Sequence, residues 1–357
     1  MAETSPSPNG TGTAAHGADT DVAVIGAGPV GLFAVFELGM LGLKATVVDA
    51  LDMIGGQCVA LYPEKPIYDI PGYPRVGAAE LIERLAEQAA PFAPAYRLGN
   101  QVVGLTRTED ERWRLTLSDG AEIVATVVVV AAGVGAFGPN RPPLPGIEKF
   151  EHLPPGHGVH YLVGRKEDYR GKRVVIAGGG DSALDWAIEL ADVAASVAVV
   201  HRRDKFRGAP ESVSRLRQLA EAGAIDIVVP YQLAGVEGDD KGLAAVTVRT
   251  LEGEERRLDA DALLPFFGLS MNLGPIADWG LALTKNHIAV DQATCATSAP
   301  GIFAIGDIAT YDHKLKLILT GFAEAASAAH AIFPLVRPGE MLHFEYSTTK
   351  GVPGAAA

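Results

Sequence analysis

Cysteine is nearly absent: 357 residues contain only Cys58 and Cys295, and neither has a close sequence partner. That count excludes a disulfide framework and any thiolate cluster able to bind iron–sulfur, and it suits a reducing cytoplasm. Positive charge is also in deficit, with 30 Lys and Arg against 43 Asp and Glu and a formal net charge of −13. Such a chain has no general affinity for nucleic acid or an anionic membrane surface, so a polyanionic ligand needs a local basic patch. No uncharged apolar run is long enough to span a bilayer. The longest, residues 123–138, changes from β-branched to glycine-rich halfway and reads as a buried strand followed by a loop. Residues 1–18 lack the basic and apolar regions of a secretory signal and read as a disordered tail.

Glycine is abundant, 41 residues, and it clusters. The segment DVAVIGAGPVGLFAVFELGMLGLKATVVDA, residues 21–50, runs strand, Gly26-x-Gly28-x-x-Gly31, helix, strand. In a βαβ unit the first glycine permits a tight turn, the second lets backbone approach a pyrophosphate, and the third lets helix pack on strand. The phosphate then meets free N–H groups at the helix N-terminus. Asp49 lies 49 − 26 = 23 residues after the first glycine, at the tip of the second strand. A carboxylate there accepts both ribose hydroxyls of an adenosine, as in FAD.

The same plan recurs in residues 172–207, where the fingerprint is Gly178-x-Gly180-x-x-Ala183, with Asp181 and Ser182 opening the helix. Counting 23 from Gly178 reaches His201, followed by Arg202, Arg203 and Arg207. Cations stand where the first unit has a carboxylate. A 2′-phosphate is repelled by a carboxylate but takes charge-assisted, partly bidentate bonds from guanidinium groups, so the second site is expected to bind NADPH. Residues 165–217 hold 11 Lys or Arg and 8 Asp or Glu, a local balance of +3 inside an acidic chain.

The length implies two domains. Between the two units the pattern predicts a helix near 77–92, strands around NQVVGLTRT and WRLTLSDG, and a Pro/Gly-rich connection over 139–158. Further on, the strand GIFAIGD ends in Asp307, at the strand end where ligands of open α/β sheets collect, ahead of an Ala-rich helix. His152, His157 and His160 have no acidic or thiol partner nearby in sequence, so no metal site is expected.

In order along the chain, GAGPVG, GGQ, LYPEKPIYDIPGYP, AAGVGAF, GGGDSALDWA, HRRDKFR and GIFAIGD resemble the thioredoxin-reductase-like class of ferredoxin–NADP⁺ reductases over roughly residues 20–350. The resemblance implies an α/β fold of two dinucleotide-binding, Rossmann-like domains. The FAD domain, 19–137 and 268–357, is discontinuous, with an NADPH domain, 138–267, inserted. It implies FAD contacts from Asp49, Gln57, Tyr62, Val102, Phe137, Asp307 and Thr348. Tyr62 looks like the ring on one flavin face, and Tyr346 like the ring on the other, carried on a C-terminal tail that in this family can come from the partner of a homodimer.

Related reductases pass electrons to an internal disulfide, for which this chain has neither a C-x4-C after GGQ nor a C-x-x-C before the second glycine turn. The expected activity is therefore hydride transfer from NADPH to FAD, then release of single electrons to a ferredoxin or flavodoxin. No side chain need act as acid or base. Lys314 and Lys316, with Arg165 and Lys166 behind them, are the candidate cations for docking an acidic ferredoxin. The alternatives are an NADPH oxidase or quinone reductase on the same scaffold, and a low-turnover flavin redox sensor.

Overall fold

A computed structural model describes residues 18–342 and 351–352, with backbone alone at 18, 136–138 and 269–271. The tail before residue 18, and Tyr346 and Thr348, lie outside the described residues. The chain forms two compact units.

The first unit comprises the chain up to Gly56, Arg84–Gly133 and the part from Gly274 on. Strand β1 (Ala18–Ile25), helix α1 (Pro29–Met40) and strand β2 (Ala45–Val48) form its βαβ unit, with Pro29 preset for the first helical turn. β1 pairs in parallel with β2 and, on its other edge, with Glu122–Val130, whose far half pairs in parallel with Ile302–Ala304. Ala95–Arg97 extends the sheet beyond β2. The antiparallel ribbon Val102–Arg107 and Trp113–Leu117 joins the near half of Glu122–Val130. Val127–Val130 are all buried, the continuous apolar run of a parallel strand covered on both faces.

The Ala-rich segment is a 19-residue helix, Ile318–Val336. Length and composition alone would let it cross a membrane. Its buried residues, Gly321, Glu324, Ala325, Ala328, Ala329, Ile332 and Phe333, instead recur every three or four positions on one face. That face packs into the same core as Val22 and Val24 of β1 and Ala34, Val35 and Leu38 of α1, so it is a core helix.

The second unit comprises Gln57–Glu83 and Val134–Leu273. Its βαβ unit is β3 (Arg173–Ala177), α2 (Asp181–Leu190) and β4 (Ser196–Val200). Ile225–Val228 and Ala262–Pro265 flank these strands in parallel, in the order 225–228, β4, β3, 262–265. Three antiparallel strands, Gln232–Asp239, Gly242–Arg249 and Glu255–Asp259, complete the unit. Within this unit, 57–83 packs with 134–273. Two contacts explain this: Lys65 pairs with Asp185 at 2.8 Å, and the Lys166 N–H donates to Glu64 at 3.0 Å.

Candidate functional site

The two βαβ units end in the same register. Ile25 pairs with Val48 and Ala177 with Val200, so Gly26 and Asp49 leave one sheet together as Gly178 and His201 leave the other. The first N–H after each strand adds one more rung to the parallel ladder: Gly26 donates to the Val48 carbonyl at 2.8 Å and Gly178 to the Val200 carbonyl at 3.0 Å.

At the first turn Gly26 has φ +113°, and a Cβ there would lie 2.3 Å from the Ala131 carbonyl oxygen. A Cβ at Gly31 would lie 2.0 Å from the Gly26 carbonyl oxygen. The fold itself demands these two glycines. Gly28 differs: its φ of −72° and ψ of −178° suit any residue, and a Cβ there would meet nothing within 4 Å. Neither conformation nor internal packing requires glycine at 28. The space in front of it, beside the uncapped start of α1, fits a phosphate group drawn against the backbone.

Asp49 stands beside this turn, half-buried. Its Oδ2 accepts the Ala27 N–H at 2.6 Å and its Oδ1 the Leu51 N–H at 2.9 Å. Burial raises its pKa above the usual carboxylate range, and the two backbone bonds act against that rise. They occupy about half of the acceptor directions of an ionised carboxylate, leaving the rest for further hydrogen-bond donors.

Distant segments converge here. The Gly55 N–H donates to the Ala27 carbonyl at 2.8 Å, and a Cβ at Gly56 would lie 3.2 Å from the Gly28 Cα. A Cβ at Gly306 would touch Val30, the second residue of α1, at 3.4 Å, so the neighbouring Asp307 belongs to the same corner. Val102 is 3 % exposed, so its side chain serves the core and only its main chain can meet a ligand.

The second turn repeats the division of labour. A Cβ at Gly178 would meet the Phe266 carbonyl oxygen at 2.7 Å, and Ala183, fully buried, takes the place of Gly31. Gly180, with φ −100° and ψ −179°, again has nothing within 4 Å of a Cβ. The difference lies one residue after the first glycine. Where Ala27 meets the Asp49 carboxylate, Gly179 is covered by the His201 ring, whose Nε2 would be 2.4 Å from a Cβ.

His201 stacks on Phe206 with ring centroids 5.4 Å apart. Burial, then Arg202 and Arg207 and the more weakly acting Arg203, hold its pKa below the usual histidine range. The loop after it folds back over the turn: the Arg207 N–H donates to the Gly179 carbonyl at 2.7 Å, and the Ala209 N–H to Asp181 Oδ1 at 2.8 Å. Asp181 is thus a tether for the arginine loop as well as the first residue of α2. Ser182 is exposed beside it. Arg202 and Arg203 are exposed and have no acidic partner among the described residues, whereas Arg217 holds Asp204 at 3.4 Å.

Three residues expected at the flavin, Gln57, Tyr62 and Phe137, belong to the second unit. Gln57 opens the short helix Gln57–Ala60. Tyr62 is half-buried, its hydroxyl 3.9 Å from Cys58 Sγ and its ring centroid 5.8 Å from Lys65 Nζ. Phe137 pairs through its backbone with Met271. Both cysteines are buried and unbridged, and burial pushes the Cys295 thiol up to about 12.

One expected docking cation is corrected. Lys314 is not on the surface: its side chain is 5 % exposed and pairs with Glu324 on the buried face of Ile318–Val336. Lys316 is exposed, with His287 Nε2 2.6 Å from its Nζ. Glu324 itself escapes sequence reasoning. The available signal is a lone carboxylate at a position that helical periodicity assigns to the apolar face.

Substituting the glycines separates the two roles. Gly28→Ala and Gly180→Ala should keep stability within about 0.5 kcal/mol. Gly28→Ala should weaken FAD binding, and Gly180→Ala NADPH binding, by roughly tenfold or more. Gly31→Ala should cost about 1–3 kcal/mol of stability. Denaturant titration and fluorescence titration check this; unaltered ligand affinity in the first two variants would show that no ligand approaches there.

Residues 20–331 match the model of a family described as pyridine nucleotide-disulphide oxidoreductase. The chain is 64 % identical to a ferredoxin–NADP reductase of Paramagnetospirillum magneticum, over 94 % of this chain and 98 % of that protein. It is 61 % identical to one of Rhodospirillum rubrum, over 95 % and 98 %. A thioredoxin reductase of T. acidophilum shares the fold, with a TM-score of 0.76 at 23 % identity over 88 % of this chain and 98 % of that one. The chain therefore belongs to the pyridine nucleotide-disulphide oxidoreductases, and within them to the ferredoxin–NADP reductase family, whose members use FAD and NADP(H).

Proposed function

We propose that this chain is itself a ferredoxin–NADP⁺ reductase, binding FAD at the first glycine turn and NADPH at the second, and exchanging single electrons reversibly with ferredoxin or flavodoxin. The observation that carries the reading is the contrast between two turns of one geometry, one facing Asp49 and the other exposed arginines. When bound, FAD supplies the chemistry no side chain has, accepting a hydride as an electron pair and giving electrons up one at a time.

The protein's part is binding and orientation. At the first turn Gly28 admits the pyrophosphate, Asp49 takes the ribose hydroxyls, and Asp307 meets the ribityl or pyrophosphate part. At the second, Gly180 admits the pyrophosphate and Arg202 and Arg203 hold the 2′-phosphate, while Arg207 is kept near by its backbone bond to Gly179. The His201 ring covers Gly179 and stacks on Phe206.

Tyr62 is the ring we assign to one flavin face; Tyr346, which lies outside the described residues, would serve the other from the partner of a homodimer. Electrons leave for a separate carrier, since Cys58 and Cys295 are buried and unbridged. An acidic carrier docks near Lys316, and the enzyme works in the cytoplasm.

Replacing Arg202 and Arg203 together by Gln should raise the KM for NADPH by at least about tenfold, as charge-assisted bonds to a phosphate are lost. The KM for NADH should stay within about twofold; equal changes for the two would remove the 2′-phosphate assignment. Steady-state NADPH oxidation should run fastest with ferredoxin or flavodoxin as acceptor. Faster turnover with quinone or dioxygen would favour a quinone reductase or oxidase, and negligible turnover with all of them a flavin sensor.

A further inference from the structure

Among the described Asp, Glu, Lys, Arg and His residues, Glu324 alone is buried as a whole, at 4 % exposure. A carboxylate in that position persists only if it is paired and hydrogen-bonded. Three donors reach it. The Gly306 N–H meets Oε2 at 2.7 Å, the Tyr311 hydroxyl meets Oε1 at 2.8 Å, and the Lys314 ammonium also meets Oε1. Lys314 lies 5.2 Å from the Tyr311 ring centroid, and the Cys295 thiol donates to the Glu324 carbonyl at 3.7 Å.

The Gly306 bond differs in kind from the others. Up to Ile305, whose N–H donates to the Val130 carbonyl, the segment follows the sheet. At Gly306 it leaves, with φ +73°, and turns against Val30 at the start of α1. The N–H freed by that departure is the one Glu324 accepts. The carboxylate therefore sets the orientation of the Ile305–Gly306 peptide, one residue ahead of Asp307.

We propose that Glu324 is a positioning residue for FAD: by accepting the Gly306 N–H it fixes the Gly306–Asp307 turn beside the first glycine turn, while Lys314 and Tyr311 hold its other oxygen. This rests on the reading of the first unit as the FAD site. The arrangement accounts for a lysine drawn into the interior. It also accounts for a carboxylate on the otherwise apolar face of a core helix.

Removing one partner would leave a buried unpaired charge and destabilise the unit whatever its role, so the pair is exchanged together. Lys314→Met with Glu324→Gln keeps a neutral acceptor for the Gly306 N–H. Lys314→Met with Glu324→Leu removes it at similar volume, and Glu324→Met replaces the leucine should that form not fold. Each full chain is purified with FAD. The FAD dissociation constant is read from fluorescence on dilution, fold integrity from circular dichroism, and the second unit from its affinity for adenosine 2′,5′-bisphosphate.

The glutamine pair should hold FAD within about threefold of wild type, and the leucine pair should bind it at least roughly tenfold more weakly, the equivalent of one unmet buried donor. Circular dichroism and bisphosphate affinity should match wild type in both. Equal FAD affinity in the two pairs overturns the positioning role. So does a loss in the leucine pair accompanied by equal losses in spectrum and bisphosphate affinity, which marks a merely structural residue. A wild-type chain that binds no FAD would overturn the reading of the first unit instead.

Discussion

At the first turn strand and helix approach so closely that a methyl group on Gly26 would lie 2.3 Å from the Ala131 carbonyl oxygen, and one on Gly31 would lie 2.0 Å from the carbonyl of Gly26. Every other feature of the unit depends on this contact between backbones. It aims the start of α1 at the space in front of Gly28, brings Asp49 to the Ala27 N–H, and leaves room for Val30 to meet Gly306. The second unit builds the same approach from Gly178, Ala183 and the Phe266 carbonyl. Because the fold already needs the first and third positions small, only the middle glycine of each turn reports on a ligand.

Given two equal turns, charge decides what each one takes. The first presents a half-buried carboxylate already tied to two backbone N–H groups. The second presents a histidine ring kept below its usual pKa, then exposed guanidinium groups on a loop pinned by Asp181 and Gly179. A carboxylate can share hydroxyl donors but repels phosphate, and guanidinium does the reverse. Two turns of one geometry thus present opposite charge.

Much of this was legible because it is local. Glycine spacing, apolar runs and a count of 23 residues locate both turns, and the observed strand registers, Ile25 with Val48 and Ala177 with Val200, match that count. The GIFAIGD segment does hold a strand, but it spans Ile302–Ala304 and Asp307 lies in the 3-10 turn Gly306–Ile308 that follows. What stayed hidden depends on tertiary burial. Lys314 sits in a polar-looking segment, YDHKLK, and nothing local shows that Glu324 draws it inward. Gly179 looks like one more glycine of a rich loop until the His201 ring is seen above it. The packing of 57–83 with the second unit rests on Lys65–Asp185, a pair 120 residues apart in sequence (185 − 65).

The central claim is that exposed cations at the second turn read a 2′-phosphate. It is tested most directly by titrating the FAD-loaded wild-type chain with NADP⁺ and with NAD⁺ across a range of salt concentrations. The account predicts at least about tenfold tighter binding of NADP⁺ at low ionic strength, with the gap narrowing as salt screens the exposed charges. NAD⁺ affinity should change little. Equal affinities for the two nucleotides at low salt would contradict it.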